Sequence, residues 1–356
     1  MSYKISDTAM IIESDGKAIL IAEESEYITS LSIGSTDQDL SSDYFTNYFA
    51  PSYTFQGSTS GYVSGGKNSP GPTSGYQNTV DKFPFSSDGN ATDVGDLTVV
   101  RERSSGQSTT DHGYTSGGRG PAPTHHNVID KFPFSSDGNA TDVGDLTAQR
   151  AFGAGQSSDA SGYNSGGKYP AEPGNENIIE KFSFSSDANA TDVGDLTQAR
   201  WQASGQSSTS NGYSSGGASS PFYSDVIDNF PFASDANATD VGNLTEGKTD
   251  GGGGQSSTTH GYHSGGYQDV NPFGPSNVIE KFSFSSNGNA SDVGDLTQAR
   301  AIISAQTSTA SGYNSGGSPP NTGQDTIDKF PFASDANATD VGNLTQGRYT
   351  SAGQQV

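Results

Sequence analysis

Apolar residues are scarce in this chain and arrive in short bursts. The clearest burst reads NVIDKFPF, residues 127–134. Its period-2 spacing sets Val128, Phe132 and Phe134 on one face and Ile129 on the other. A strand apolar on both faces calls for a packed layer on each side. The polar stretch Ser135 to Asn139 that follows is a turn, and beyond it Val143 and Leu146 are the next apolar anchors. The unit from Arg150 to Thr197 breaks into four such pieces: AFGAGQSS, SGYNSGG, NIIEKFSFSS and TDVGDLT. Each has strand length, and none has room for an ordinary helix. Pro133 lies inside the third strand and cannot donate a ladder hydrogen bond. Ser183 and Ser283 take its place in other copies, so proline is tolerated there rather than required.

The whole pattern repeats. GYTSGG at 113–118 returns as GYVSGG, GYNSGG, GYSSGG, GYHSGG and GYNSGG. Four strands at a period of about 50 residues is the signature of a propeller blade. A strand ending in Gly-Gly implies positive backbone dihedrals or a very close neighbour. Small residues suit the crowded inner end of a blade, and Tyr163 is placed to fill a gap between blades. Six copies of the fourth-strand wording end at Leu97, Leu146, Leu196, Leu244, Leu296 and Leu344. The residues after Leu344 then read as a first strand with no second. The expectation is an all-β propeller of six four-stranded blades, closed by a C-terminal strand near Ser351 to Gln355 that completes the blade begun by GYVSGG. Seven blades is the alternative, if residues before Pro51 supply another.

Gly166-Gly167, the apolar strand Ile179 to Phe182, Leu196 and Arg200 stand in the order of the kelch repeat, which the chain resembles over most of Gln56 to Arg348. It departs from that pattern in the fourth strand, where kelch repeats usually carry Trp and this chain has Val193. The wording DKFPFSSDGNATDVGDLT is also similar to kelch-like virion proteins of marine bacteriophages, and the opening MSYKISDTAMI to the N-termini of phage tail and fibre proteins. The resemblance implies a virion location and a non-enzymatic structural or host-attachment role.

Residues 1–50 lack the repeat wording. Isoleucine-rich segments around SDGK read as two or three strands, followed by the aromatic connector Ser41 to Pro51. This segment either docks on another subunit, attaching the propeller of residues 51–356 to its particle, or adds a layer to that propeller.

Composition changes the picture in a few places. With 29% hydrophobic residues and 47 glycines the chain borders on disordered compositions, but aromatics at fixed repeat positions argue for order. A net charge of -23 speaks against nucleic acid, because phosphate binding needs clustered Lys and Arg. The absence of cysteine excludes disulfides, and with them the cysteine cross-link of the copper oxidases built on kelch folds. The N-terminus has no signal-peptide pattern and no stretch is long enough for a membrane span.

Candidate chemistry is thin. None of the five histidines recurs in every repeat, although HGYH could bring His260 and His263 together. Asp137, Asn139, Asp142 and Asp145 form an oxygen-rich stretch that suits calcium or, equally, Asx turns; the spacing is not that of an EF-hand. No catalytic residue, metal ligand or cofactor is assigned. The NAT triplets match the glycosylation sequon without a secretory leader to make use of it.

The segments between second and third strands differ freely among repeats, and all six are expected on one face, where loops on a rigid scaffold carry recognition. Their Tyr76, His125, His126, Tyr169, Phe222, Tyr223, Tyr267 and Phe273 are the candidate contacts for a host-surface glycan or protein. Other virion proteins are the expected partners of the N-terminal segment. A free bacterial carbohydrate-binding or scaffold propeller is the alternative function.

Overall fold

The computed structural model describes residues 56–68, 75–121, 124–170, 174–219, 222–268, 273–318 and 323–356, apart from the side chain of Phe222, and the backbone of five strands nearer the N-terminus. The chain divides into two compact units, Met1–Ser52 and Tyr53–Val356. In the first, Ser2–Ser6, Ala9–Ser14 and Lys17–Ala22 form an antiparallel meander, and Ser30–Ile33 pairs with Thr36–Asp39. That is five strands where the hydrophobic pattern suggests two or three. Among the additional strands, TDQD contains no apolar residue, so it gives no alternation signal. The connector Ser41 to Pro51 lies outside the described residues.

In the second unit every described regular element is a strand. Sheet I joins Ala352–Gln355, Ser60–Ser64, Thr79–Pro84 and Thr92–Asp96. Sheet II joins Ser105–Ser108, His112–Ser116, Val128–Pro133 and Thr141–Asp145. Sheet III joins Ala154–Ser157, Ser161–Ser165, Ile178–Ser183 and Thr191–Asp195. Sheet IV joins Ser204–Ser207, Asn211–Ser215, Val226–Pro231 and Thr239–Asn243. Sheet V joins Gly253–Ser256, His260–Ser264, Val278–Ser283 and Ser291–Asp295. Sheet VI joins Ser304–Thr307, Ser311–Ser315, Gln324–Pro331 and Thr339–Tyr349, with Lys67–Asn68 at its edge. All pairings are antiparallel. The first strands touch in cyclic order, II to III, IV, V, VI, I and back to II. Small antiparallel sheets arranged in this way are a β-propeller-type fold.

The two-faced third strand does what its pattern requires. Ile129 packs with Tyr114 and Leu146 against Phe182, Phe184 and Ala190 of sheet III. On the other face, Phe132 and Phe134 pack against Tyr62, Val80 and Leu97 of sheet I. Tyr114 lies 5.6 Å from Phe182 and 4.8 Å from Phe184, ring centre to ring centre. The same trio recurs at every interface, including Tyr313 with Phe83 and Phe85 where sheet VI meets sheet I.

Polar groups repeat as faithfully. Arg101, in the connector from sheet I to sheet II, is fully buried and meets Asp130 at 2.7 Å. It also donates to the backbone carbonyls of Gly117, Val128 and Thr115. Thr98 donates its backbone N–H and its hydroxyl to the same carboxylate. Burial pulls the Arg101 guanidinium below its ordinary value, and the charge of Asp130 opposes this. Arg150–Glu180, Arg200–Asp228, Lys248–Glu280, Arg300–Asp328 and Arg348–Asp81 complete the set. A register shift between third and fourth strands falls immediately before the acid in each sheet, as at Ile129/Asp130. Bulges re-aim side chains in this way.

The Gly-Gly pair has both suspected causes. Gly117 and Gly118 have φ of 64° and 101°. A Cβ on Gly117 would also stand 2.6 Å from the Arg150 carbonyl oxygen, so no other residue fits there.

Nearer the axis a glutamine clamps each interface. Gln107 Nε2 donates to the Tyr163 carbonyl at 2.9 Å, and Gln156, Gln206, Gln255 and Gln306 repeat the bond to Tyr213, Tyr262, Tyr313 and Tyr62. Gln354 completes the cycle at Tyr114. Gln354 belongs to the C-terminal strand, whose register against the second strand of sheet I runs Ala352↔Ser64 to Gln355↔Gly61. Deleting residues 349–356 removes this strand, its clamp and the partners of four buried backbone positions. The expected cost is several kcal/mol, a fall in melting temperature of about 10 °C. Thermal denaturation of the shortened chain measures it; an unchanged melting temperature would show that the closing strand is dispensable.

Candidate functional site

The strand order places the second-to-third-strand loops and the connectors between sheets on one side. Backbone bonds join them: Glu102 N–H donates to the Arg119 carbonyl and receives the reverse bond, and Ala151–Lys168, Trp201–Ala218 and Ala301–Ser318 pair alike. The other side carries the first-to-second and third-to-fourth turns, whose wording hardly changes between repeats. Variation therefore gathers on one face.

The candidate contacts sit around that face. Tyr76 bridges to Lys67, whose amine lies 5.2 Å over the ring. His125 bridges to Arg119, and His126 beside it is half-buried, with its pKa lowered by burial and then by Arg101. Tyr169 accepts a long 3.4 Å bond at its hydroxyl from Arg150, whose guanidinium stacks on its ring. Tyr223 is in a short strand paired with Ala218, and Tyr267 in one paired with Thr249. Phe222 pairs with Ser219; its side chain lies outside the described residues. Phe273 is 73% exposed, far more than any other described large apolar side chain.

The acidic turn residues are already engaged. Asp142 accepts from the Gly144 N–H as an Asx turn does, Asn139 accepts from the Asp96 N–H of sheet I, and Asp137 pairs with Lys82. No group of three or more His, Asp or Glu suited to a metal ion occurs among the described residues. His260 and His263 are not brought together. Three positions apart on one strand, they face opposite ways. His260 contacts Thr259 at the surface, whereas His263 is buried with Nδ1 3.0 Å from the Ser215 hydroxyl.

Burial, helped by the charge of Lys248 and opposed by Glu280, lowers the His263 pKa to about 3. The folded protein thus keeps this ring neutral while the unfolded chain protonates it near pH 6.5. Its contribution is complete above pH 6.5 and is lost as pH falls from there toward 3. His263→Asn, which copies Asn164 and Asn314 of the equivalent positions, should lose about 1–2 kcal/mol less than the parent between pH 7 and 5. Urea denaturation at the two pH values checks this, and equal losses would count against a neutral buried ring.

A second set of residues stands at positions the sequence reading did not single out. Arg103, Phe152, Gln202, Asp250, Ile302 and Thr350 all have φ between 56° and 67°. They are equivalent positions, two residues past the buried base of each connector. Left-handed backbone is unusual for side-chain-bearing residues and a marked outlier for β-branched Ile302 and Thr350. A ring of backbone bonds holds it. Arg103 N–H donates to the Thr350 carbonyl, Phe152 to Arg103, Gln202 to Phe152, Gly251 to Gln202, Ile302 to Asp250 and Thr350 to Ile302. The ring surrounds the end of the axial cavity, about 170 Å³, walled by the first strands.

Its side chains differ in every repeat. Arg103 stacks 4.5 Å over Phe152, and Phe152 meets Trp201 edge to face at 5.1 Å. The buried Glu102 takes Arg119 at 2.7 Å, Arg103 at 3.8 Å and the Thr350 hydroxyl at 3.0 Å. Gln202 donates its amide N–H to Asp250. The signal available in the sequence was contrast: after the Leu-Thr and the base that mark each connector, the next two positions read ER, AF, WQ, TD, AI and YT.

The sequence matches no family model and no curated protein. Among solved structures, "Structure of YjhT" is similar, with a TM-score of 0.59, 13% identity, and coverage of 72% of this chain and 88% of that one. At that identity the likeness is one of fold.

Because the left-handed conformation is imposed by the ring, glycine suits it better than isoleucine does. Ile302→Gly should leave stability unchanged or raise it by up to about 1 kcal/mol, where the same change on ordinary backbone costs about 1. Chemical denaturation decides the sign; a clear loss would mean that the side chain, not the backbone, holds the ring.

Proposed function

We propose that the chain is a non-enzymatic virion protein of a bacteriophage. It is a six-bladed kelch-type propeller attached to the particle through residues 1–52, with its variable face turned toward a host-surface glycan or protein. One observation carries the binding role. Residues repeated in all six sheets occupy the interfaces between sheets, and residues that differ gather in the loops and connectors of a single face. A scaffold needs only the first group. Recognition needs an asymmetric surface, and the second group supplies one.

The closed cycle of six sheets supports the six-blade reading, and the Gly-Gly, Leu and Arg order supports the kelch type. The virion reading rests on the repeat wording and the opening residues. The partners are then other virion proteins, met by the N-terminal unit.

Particles assembled with a chain lacking residues 1–52 test the attachment, and Tyr76→Ala with Phe273→Ala tests the face. The shortened chain should keep its melting temperature and fail to join particles. The double variant should join them, melt as the parent does and bind host cells at least tenfold more weakly. Normal incorporation of the shortened chain, or undiminished cell binding by the double variant, would overturn the corresponding half of the proposal.

A further inference from the structure

The seam between sheets IV and V is built differently from the other five. Elsewhere the buried base of the connector is an arginine that donates to a backbone carbonyl of the sheet it enters. Arg101 donates to Gly117, Arg150 to Gly166, Arg200 to Val226, Arg300 to Thr326 and Arg348 to Thr79. Between IV and V the base is Lys248. Its amine lies 2.7 Å from Glu280 and 4.0 Å from Glu246, and among the described residues it donates to no carbonyl. An ammonium is a compact charge on a flexible stem, whereas the planar guanidinium fork fixes several partners at once. The ion pair is kept here, but the brace from connector to sheet is lost.

The rest of the seam does not make up the loss. His263 reaches Ser215 of sheet IV through Nδ1, while its Nε2 is buried with no hydrogen-bond partner, which is costly. A Cβ on Gly252 would stand 2.4 Å from Nε2, so the ring needs glycine beside it. The run Gly251 to Gly254 then leads into sheet V on the most permissive backbone of any connector. On the turn side the other five seams each have a Lys–Asp bridge, as Lys82 with Asp137, and Asn229 and Asn287 take those positions here. The Gly288 N–H donates instead to the Val241 carbonyl, a nearly even exchange for an exposed ion pair. The weakness therefore lies on the buried side.

We propose that the propeller opens first at the seam between sheets IV and V, ahead of the junction in sheet I where the chain ends meet, and that acid favours the opening. The acid trigger is His263. Sheet IV meets it with Ser215 and Gly216, the connector with Lys248 and Glu246, and its own sheet with Glu280. Folded, the ring is neutral; opened to water it takes a proton below about pH 6.5, so falling pH favours the open form. Opening also parts Tyr223 of sheet IV from Tyr267 and Phe273 of sheet V. That consequence, unlike the opening itself, rests on the reading of this face as a recognition surface.

The chain has no cysteine, and each sheet has a buried serine at the same place in its second strand. Ser64→Cys, Ser116→Cys, Ser215→Cys and Ser264→Cys, each alone in the full chain, are labelled with 4,4′-dithiodipyridine at pH 7.5 and 5.5. Labelling needs local opening, so the rates rank the seams. Ser215→Cys should react roughly tenfold faster than the other three or more, and the ratio should widen at the lower pH, where intrinsic thiol reactivity cancels between variants. Adding Lys248→Arg and His263→Asn, which copy Arg150 and Asn164, should bring it to the pace of the others. Hydrogen exchange repeats the comparison on the unaltered chain. The Ala290 N–H, bonded across this seam to Asn243, should exchange ahead of the Ala140 N–H, bonded across its own seam to Asp96. Equal rates, faster reaction of Ser64→Cys, or a ratio that the two added changes leave unmoved would overturn the proposal. A ratio unmoved by pH would remove the acid trigger.

Discussion

Each interface between sheets depends on one buried ion pair, as in Arg101 with Asp130. Removing two charges from water is expensive, and the pair is tolerable only with its remaining donors and acceptors satisfied. The fold supplies most of them, leaving only Nε of Arg101 without a hydrogen bond. Thr98 fills the carboxylate's other positions, and the carbonyls of Gly117, Val128 and Thr115 take the guanidinium. Those carbonyls belong to the second strand, the Gly-Gly turn and the start of the third strand. One arginine thereby fixes where three parts of the next sheet stand relative to the connector it comes from. Breaking such a pair typically costs about 3–5 kcal/mol, because the survivor remains buried and uncompensated. Arranged around a ring, six such pairs hold a chain whose apolar fraction is only 29%.

The arrangement also explains where variation is allowed. The aromatic trio, the ion pair and the glutamine clamp, together with Ile129, Leu146 and the small serine and alanine positions of each repeat, fill its inward positions. The conserved turns are committed as well: Asn139 reaches back to sheet I, and Lys82 of sheet I reaches forward to Asp137. Six of the 17 basic residues are in the buried pairs, five more pair with turn aspartates, and Lys4 and Lys17 lie in the first unit. The remaining four are Lys67, Arg103, Arg119 and Lys168, all on the variable face and each over an aromatic ring.

Much of the fold was legible because its causes are local and repeated. Period-2 spacing placed Ile129 and Phe132 on opposite faces, and Gly-Gly marked a backbone that only glycine fits. The C-terminal strand was visible as an incomplete repeat. The ion pair was harder to read: Arg101 and Asp130 are separated by a variable loop, and no local rule joins them. The burial of His263 was not legible because imidazole is polar, yet it occupies a buried strand position that other repeats fill with Val63, Thr115 or Asn164. The axial ring was hidden for a different reason. Left-handed backbone is normally announced by Gly, Asn or Asp, and of these six positions only Asp250 has such a residue.

The residues at these six positions bear on the function. A connector free to choose would place glycine at all six ring positions and relieve the backbone. Asp250 comes nearest, and its repeat alone has an extra residue before the first strand, Gly251 following it with φ of 53°. The other five keep arginine, phenylalanine, glutamine, isoleucine and threonine in a conformation that costs each of them on the order of 1 kcal/mol. The backbone ring needs only N–H and C=O groups, which any residue but proline provides. What distinguishes these residues is therefore their side chains, five different ones turned toward a single axis. Strain kept at five different residues that line one cavity is of the kind that gathers where a scaffold meets something else.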